Sequence, residues 1–104
     1  MKLFFMNLEV DGFMGMYPIA AKDRAGAMLA LRRVVPNPLF SRLVSINEVF
    51  RLDDDMLDMA LEALGVWFGN CCDHADGNDS VSDADWDEIL EIERRTHKML
   101  CKLS

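Results

Sequence analysis

The first half of the chain alternates short apolar runs with turn residues. Residues 3–10 are an apolar run containing β-formers and predict a first strand. Asp11-Gly12 is a turn signal, with Gly15 a second permissive point, and residues 16–20 predict a strand that closes a hairpin. Phe13 and Met14 fit either the connecting loop or the strand. Asp23 is placed to cap a helix over 24–35, whose buried stripe is Ala27, Met28, Leu31, Val34 and Val35. Gly26 weakens its first turn slightly, and Arg24, Arg32 and Arg33 are left to solvent. Pro36-Asn37-Pro38 ends the helix, because neither proline can donate a backbone hydrogen bond. Val44, Ile46, Val49, Phe50 and Leu52 predict a third strand over 43–52, with an irregularity near Asn47-Glu48.

The second half changes period. Met56, Ala60, Ala63, Leu64 and Trp67 recur at helical spacing, and Leu57, Leu61 and Phe68 widen the stripe. So broad an apolar face predicts a helix sandwiched between other elements. Asp53, Asp54 and Asp55 open it at the end where the macrodipole favours acids, and Gly69-Asn70 are good terminators. Residues 71–81 read as a loop with Asp76-Gly77-Asn78-Asp79 at its polar centre. Ser82 is placed to cap a last helix, with Asp85 three residues on in a capping-box-like place. Trp86, Ile89, Leu90, Glu93, His97, Leu100 and Cys101 trace one face of that helix; Ile92, Thr96, Met99 and Leu103 trace the next. Glu91 and Arg95 are an attractive pair at i to i+4, and Arg94 and Lys98 a repulsive one.

These elements predict one α+β domain over residues 1–104. Residues 1–52 supply β-β-α-β, a three-stranded antiparallel sheet with one packed helix, and residues 53–104 an acidic pair of C-terminal helices. With 51% hydrophobic residues in 104, the chain can build a real core.

Charge changes the picture most. The net charge is −7, and it divides into +3 over residues 1–52 and −10 over 53–104. Between Arg51 and Arg94 there is no lysine or arginine, while fourteen carboxylates fall there among large hydrophobes. A disordered acidic tail would lack those hydrophobes. Such asymmetry argues against direct nucleic-acid binding, which needs a cationic face, and favours a protein partner with a basic surface. Carboxylates on helices are ordinarily solvated surface. The partner reading rests on the missing counter-charges, since soluble surfaces usually mix signs, and on the ability of spaced carboxylates to stand in for phosphates before Arg and Lys. The candidate partner-binding residues are Asp53, Asp54, Asp55 and Asp58 on one helix and Asp83, Asp85, Asp87, Glu88 and Glu91 on the other.

Other chemistry is thinner. Cys71-x-x-His74 and His97-x-x-x-Cys101 could hold zinc if the two pairs converge, although His97 and Cys101 fall on the apolar stripe, where a packed cysteine is the plain expectation. Asp73, Asp76, Asp79 and Asp83 surround Gly77 but are out of register with a calcium loop. Cys71 or Cys72 beside His74 lacks any oxyanion-hole pattern. No catalytic motif appears, so the expectation is a non-enzyme with no cofactor. Three cysteines, two of them adjacent, make no disulfide framework and suggest a reducing cytosol. The apolar start is too short for a signal peptide, and no run approaches a membrane span.

One domain with an opening hairpin (3–20), a short helix (24–35), a third strand and acidic helices after it resembles the small acidic proteins of phages and other mobile elements, anti-CRISPR proteins among them. The resemblance implies an inhibitor that occupies a basic, nucleic-acid-handling surface of a host complex such as a CRISPR effector, in the host cytosol, as a nucleic-acid mimic. Two alternatives stand beside it: a zinc-stabilised structural or regulatory module on Cys71, His74, His97 and Cys101, and a homodimer through the apolar faces of the last two helices.

Overall fold

The structure, a computed structural model, describes residues 1–10, 12–35, 41–76 and 83–104; the side chains of Ser41 and of residues 72–76 are outside that description. The order is β1 (Lys2–Val10), β2 (Phe13–Ala21), α1 (Arg24–Val34), β3 (Ser41–Val49), α2 (Asp54–Asp76) and α3 (Asp83–Leu103). The α+β class and the order β-β-α-β-α-α are those expected. β1 is the central strand of an antiparallel sheet ordered β2-β1-β3.

Val10 pairs with Phe13, so only two residues connect the hairpin, and Phe13 and Met14 belong to the strand. Gly12 takes a φ of 82°, the left-handed region that glycine reaches without a Cβ penalty. The irregularity in β3 lies earlier than expected. Asn7 pairs with Ser45 and Leu8 with Leu43, so Val44 is the extra residue. It is 45% exposed, an apolar side chain turned out of the ladder. β3 also ends at Val49, short of Leu52, and Phe50 is exposed while Leu52 is buried.

Asp23 caps α1 as expected: its Oδ1 accepts from the Gly26 N–H at 2.7 Å. A Cβ at Gly26 would meet that same oxygen at 3.3 Å, so the glycine that weakens the turn also leaves the cap room. Ala27, Leu31, Val34 and Val35 are buried, but Met28 is 40% exposed and Ala30 takes the place expected for it. The proline segment 36–38 lies outside the described residues.

All three helices pack mainly on β2, α3 also reaches β1, and no helix makes more than marginal contact with β3. β2 would otherwise be an open edge. At Ala20 its outward N–H donates to Thr96 Oγ1 (3.0 Å) and its outward C=O accepts from Arg95 Nε (2.6 Å), so α3 closes the edge there. Pleat alternation turns the backbone of Pro18 to the same side, and proline has no N–H to leave unpaired. β3 is tied more lightly, through Arg24 Nη1 donating to the Ile46 carbonyl at 3.0 Å.

α2 runs on to Asp76, through Gly69 and Asn70, where a loop from residue 71 was expected. Glycine inside a helix costs about 1 kcal/mol. Tertiary contact outweighs it: Cys71, directly after Gly69-Asn70, is buried, and its Sγ donates to the Val34 carbonyl at 3.2 Å. Asp73 and Asp76 therefore belong to the end of a helix. Gly77, Asn78, Asp79 and the expected cap Ser82 lie outside the described residues.

α2 and α3 are antiparallel. Leu52 N–H, just before α2, donates to the carbonyl of Leu103 at the end of α3 (3.0 Å). Phe68 stacks on Trp86 across the pair (centroids 6.2 Å) and meets Trp67 edge-on (6.1 Å). The core joins Phe4, Met6 and Ile19 of the sheet to Trp67, Ile92 and Leu100 of the helices. Fully burying each such side chain contributes roughly 1.5–3 kcal/mol.

Candidate functional site

Antiparallel packing decides where the acids go. α2 starts beside the end of α3, and α3 starts beside the end of α2. The group Asp53, Asp54, Asp55 and Asp58 and the group Asp83, Asp85, Asp87, Glu88 and Glu91 therefore sit at opposite ends of the helical pair. At 1.5 Å per residue the offset along the axis is about 20 Å, more than twice the Debye length of about 8 Å at physiological salt. They are two patches, not one ribbon.

The α3 patch meets counter-charge. Arg33, in the last turn of α1, donates to Asp85 Oδ1 through Nη1 and pairs with Glu88 Oε2 through Nε, both at 3.0 Å. Glu91 is held by Arg94 in a forked contact (2.8 and 3.0 Å), so the pair forms at i+3, where i+4 with Arg95 was expected. Arg95 is instead turned inward to Ala20. Asp83, Asp87, Glu88 and Glu91 are exposed, and Asp83 and Asp87 make no ion pair among the described residues.

The α2 patch is of another kind. Asp53 serves as the cap, its Oδ1 accepting from the Met56 N–H at 2.8 Å. Asp54, Asp55, Asp58 and Glu62 are exposed and make no ion pair among the described residues. Asp55, Met59, Glu62 and Val66 follow one another at i+3 and i+4, along the solvent side of the helix. That side borders an open groove of about 340 Å³ between α2 and β2, walled by Tyr17, Met59, Glu62, Ala63, Val66 and Trp67 among others. Met59 and Val66 are 61% and 59% exposed, a large apolar offering for the middle of an acidic helix face. Trp67 is 2% exposed, and its indole Nε1 is buried with no hydrogen-bond partner among the described residues. Burial, with Cys71 nearby, pushes the Tyr17 phenol above its ordinary value of 10.0.

Cys71 lies apart from His97 and Cys101. Cys71 is buried at the α1-facing end of α2. His97 and Cys101 lie toward the end of α3, beside the start of α2, with Cys101 Sγ 4.0 Å from His97 Nδ1. Both are exposed, against the expectation that they sit in the apolar stripe; of the two faces traced, α3 buries Ile89 and Leu100 from the first and Ile92, Thr96 and Met99 from the second. The His74 side chain lies outside the described residues. Among the described residues no three His, Cys, Asp or Glu side chains gather as a metal site.

The groove was missed at the level of sequence because Met59 and Val66 fall just outside the buried stripe of α2. Their spacing with Glu62 was the available signal. No protein-family model matches the chain, and none of the curated proteins or solved structures compared with it does. No described helix is long and apolar enough to cross a membrane.

Proposed function

We propose that this chain is a non-catalytic binding protein, an inhibitor or regulator that sets acidic helix starts against a basic surface of a nucleic-acid-handling complex. The observation that carries the reading is the exposed start of α3. Four carboxylates (Asp83, Asp87, Glu88 and Glu91) face solvent there, and Arg33 and Arg94 are the cations paired with that helix among the described residues. The helix dipole accounts for acids in the first turn, but Asp87 and Glu91 lie beyond it. Their exposure suits contact with Arg and Lys side chains that otherwise hold phosphate. The resemblance to anti-CRISPR proteins makes a CRISPR effector of the host the first complex to try.

Affinity capture from a host extract, with the retained proteins identified, tests this against the double variant D87K/E91K. The wild type should retain a basic protein whose capture falls with added salt. The variant should bind it about tenfold or more weakly, the equivalent of roughly 1.4 kcal/mol, with its melting temperature nearly unchanged. Retention that ignores both salt and the reversals would defeat the reading.

A further inference from the structure

The groove between α2 and β2 joins three features that independently limit what it can hold. Its walls are largely apolar, with Tyr17 and Ala63 inside and Met59 and Val66 at the rim. Its volume, about 340 Å³, falls in the range of small-ligand sites, about 300–1,000 Å³. Glu62 stands at the same rim, and Asp55 follows two turns further back on that side of the helix. Neither carboxylate has an ion pair among the described residues. Trp67 is buried in the wall, and its indole N–H has no acceptor among the described residues.

We infer that this groove is the anchoring site for a basic peptide segment of the partner: one bulky apolar side chain fills the groove, and flanking Arg or Lys side chains pair with Glu62 and Asp55. The apolar walls select the anchor, and the acids reject an acidic flank. An anionic small molecule is disfavoured for the same reason. The choice of a basic segment rests on the reading given under Proposed function; the groove and the unpaired indole do not.

The test follows the Trp67 indole N–H resonance by heteronuclear NMR, distinguished from that of Trp86 with W86F. The probes are the capped tripeptides Arg-Leu-Arg, Glu-Leu-Glu and Arg-Gly-Arg. Arg-Leu-Arg should move the Trp67 resonance saturably. The other two peptides, and Arg-Leu-Arg against V66R, should bind about tenfold or more weakly. Val66 is exposed, so V66R should keep the fold, and the remainder of the amide spectrum reports whether it does. An indole resonance that Arg-Leu-Arg does not move, or that Glu-Leu-Glu or Arg-Gly-Arg moves as readily, overturns the proposal. Unweakened Arg-Leu-Arg binding to a folded V66R overturns it too. A failed titration beside charge-sensitive capture removes the groove alone, and a successful titration beside charge-insensitive capture removes the α3 reading alone.

Discussion

Two helices of this chain begin in the same way, with clustered aspartates, and the structure uses them differently. At the start of α3 the acids are partly answered: Arg33 bridges Asp85 and Glu88, and Arg94 grips Glu91. At the start of α2, Asp53 caps the helix, and Asp54, Asp55 and Asp58 have no ion pair among the described residues. The helices are also held by different forces. α3 is fastened to the sheet edge by polar bonds at Ala20. α2 is held by apolar packing through Ala60, Leu64 and Trp67, with a groove left along one side. Similar acidic beginnings thus say where helices start. What each patch can do is set by what the fold places opposite it.

The strongest way to break the contrast is to loosen α3 from the edge. Thr96 is fully buried, and its hydroxyl accepts the Ala20 N–H. T96V keeps the shape but removes the acceptor, leaving a buried donor unpaired. The expected cost is about 1–3 kcal/mol, read by chemical denaturation with an unchanged denaturant slope. A loss well below that would mean the edge is closed by Arg95 and packing alone.

A smaller effect separates the two patches by charge. Arg33 is about half exposed, so its pairs with Asp85 and Glu88 should contribute no more than about 1 kcal/mol. R33A should therefore lower stability slightly while making the α3 patch more negative, so that capture of a basic partner strengthens at low salt. Weaker capture by R33A would show that Arg33 helps the contact directly.

The fold was largely legible because its elements carry local marks: the turn at Gly12, the cap at Asp23, the period of α2. What failed locally was decided by tertiary contact. The helix passes Gly69-Asn70 because Cys71 finds the Val34 carbonyl. Met28 faces out and Ala30 in because the line α1 turns to the core runs through Ala27, Ala30, Leu31 and Val34. The candidate acids could be listed from sequence, but their division into two ends could not. That division follows from antiparallel packing of α2 and α3, and local pattern carries no information on which charges a turn brings together. His97 and Cys101 misled for a related reason: the two faces traced on α3 were wider than what it buries, which is Ile89, Ile92, Thr96, Met99 and Leu100, and the margin of the first face is left to solvent.

The smallest effect reports on the α2 side alone. Tyr17 is the only tyrosine, so the ultraviolet absorbance of its phenolate can be followed without assignment. Burial, then Cys71, raises its pKa in the folded state above 10.0. A group raised on folding adds stability that is fully present below the unfolded value. That stability is lost as pH climbs through the folded value, because the unfolded chain then binds fewer protons than the native one. Stability should accordingly start to fall near pH 10, and the phenol should ionise later in the folded chain than in urea. T96V, which removes only the acceptor of the Ala20 N–H, should leave that titration in place as long as the protein stays folded. V66R changes the groove wall beside Tyr17 and brings in a cation, which favours the phenolate, so it should move the titration back toward the ordinary value. A Tyr17 titration that ignores V66R would show that the groove wall does not set the surroundings of the phenol.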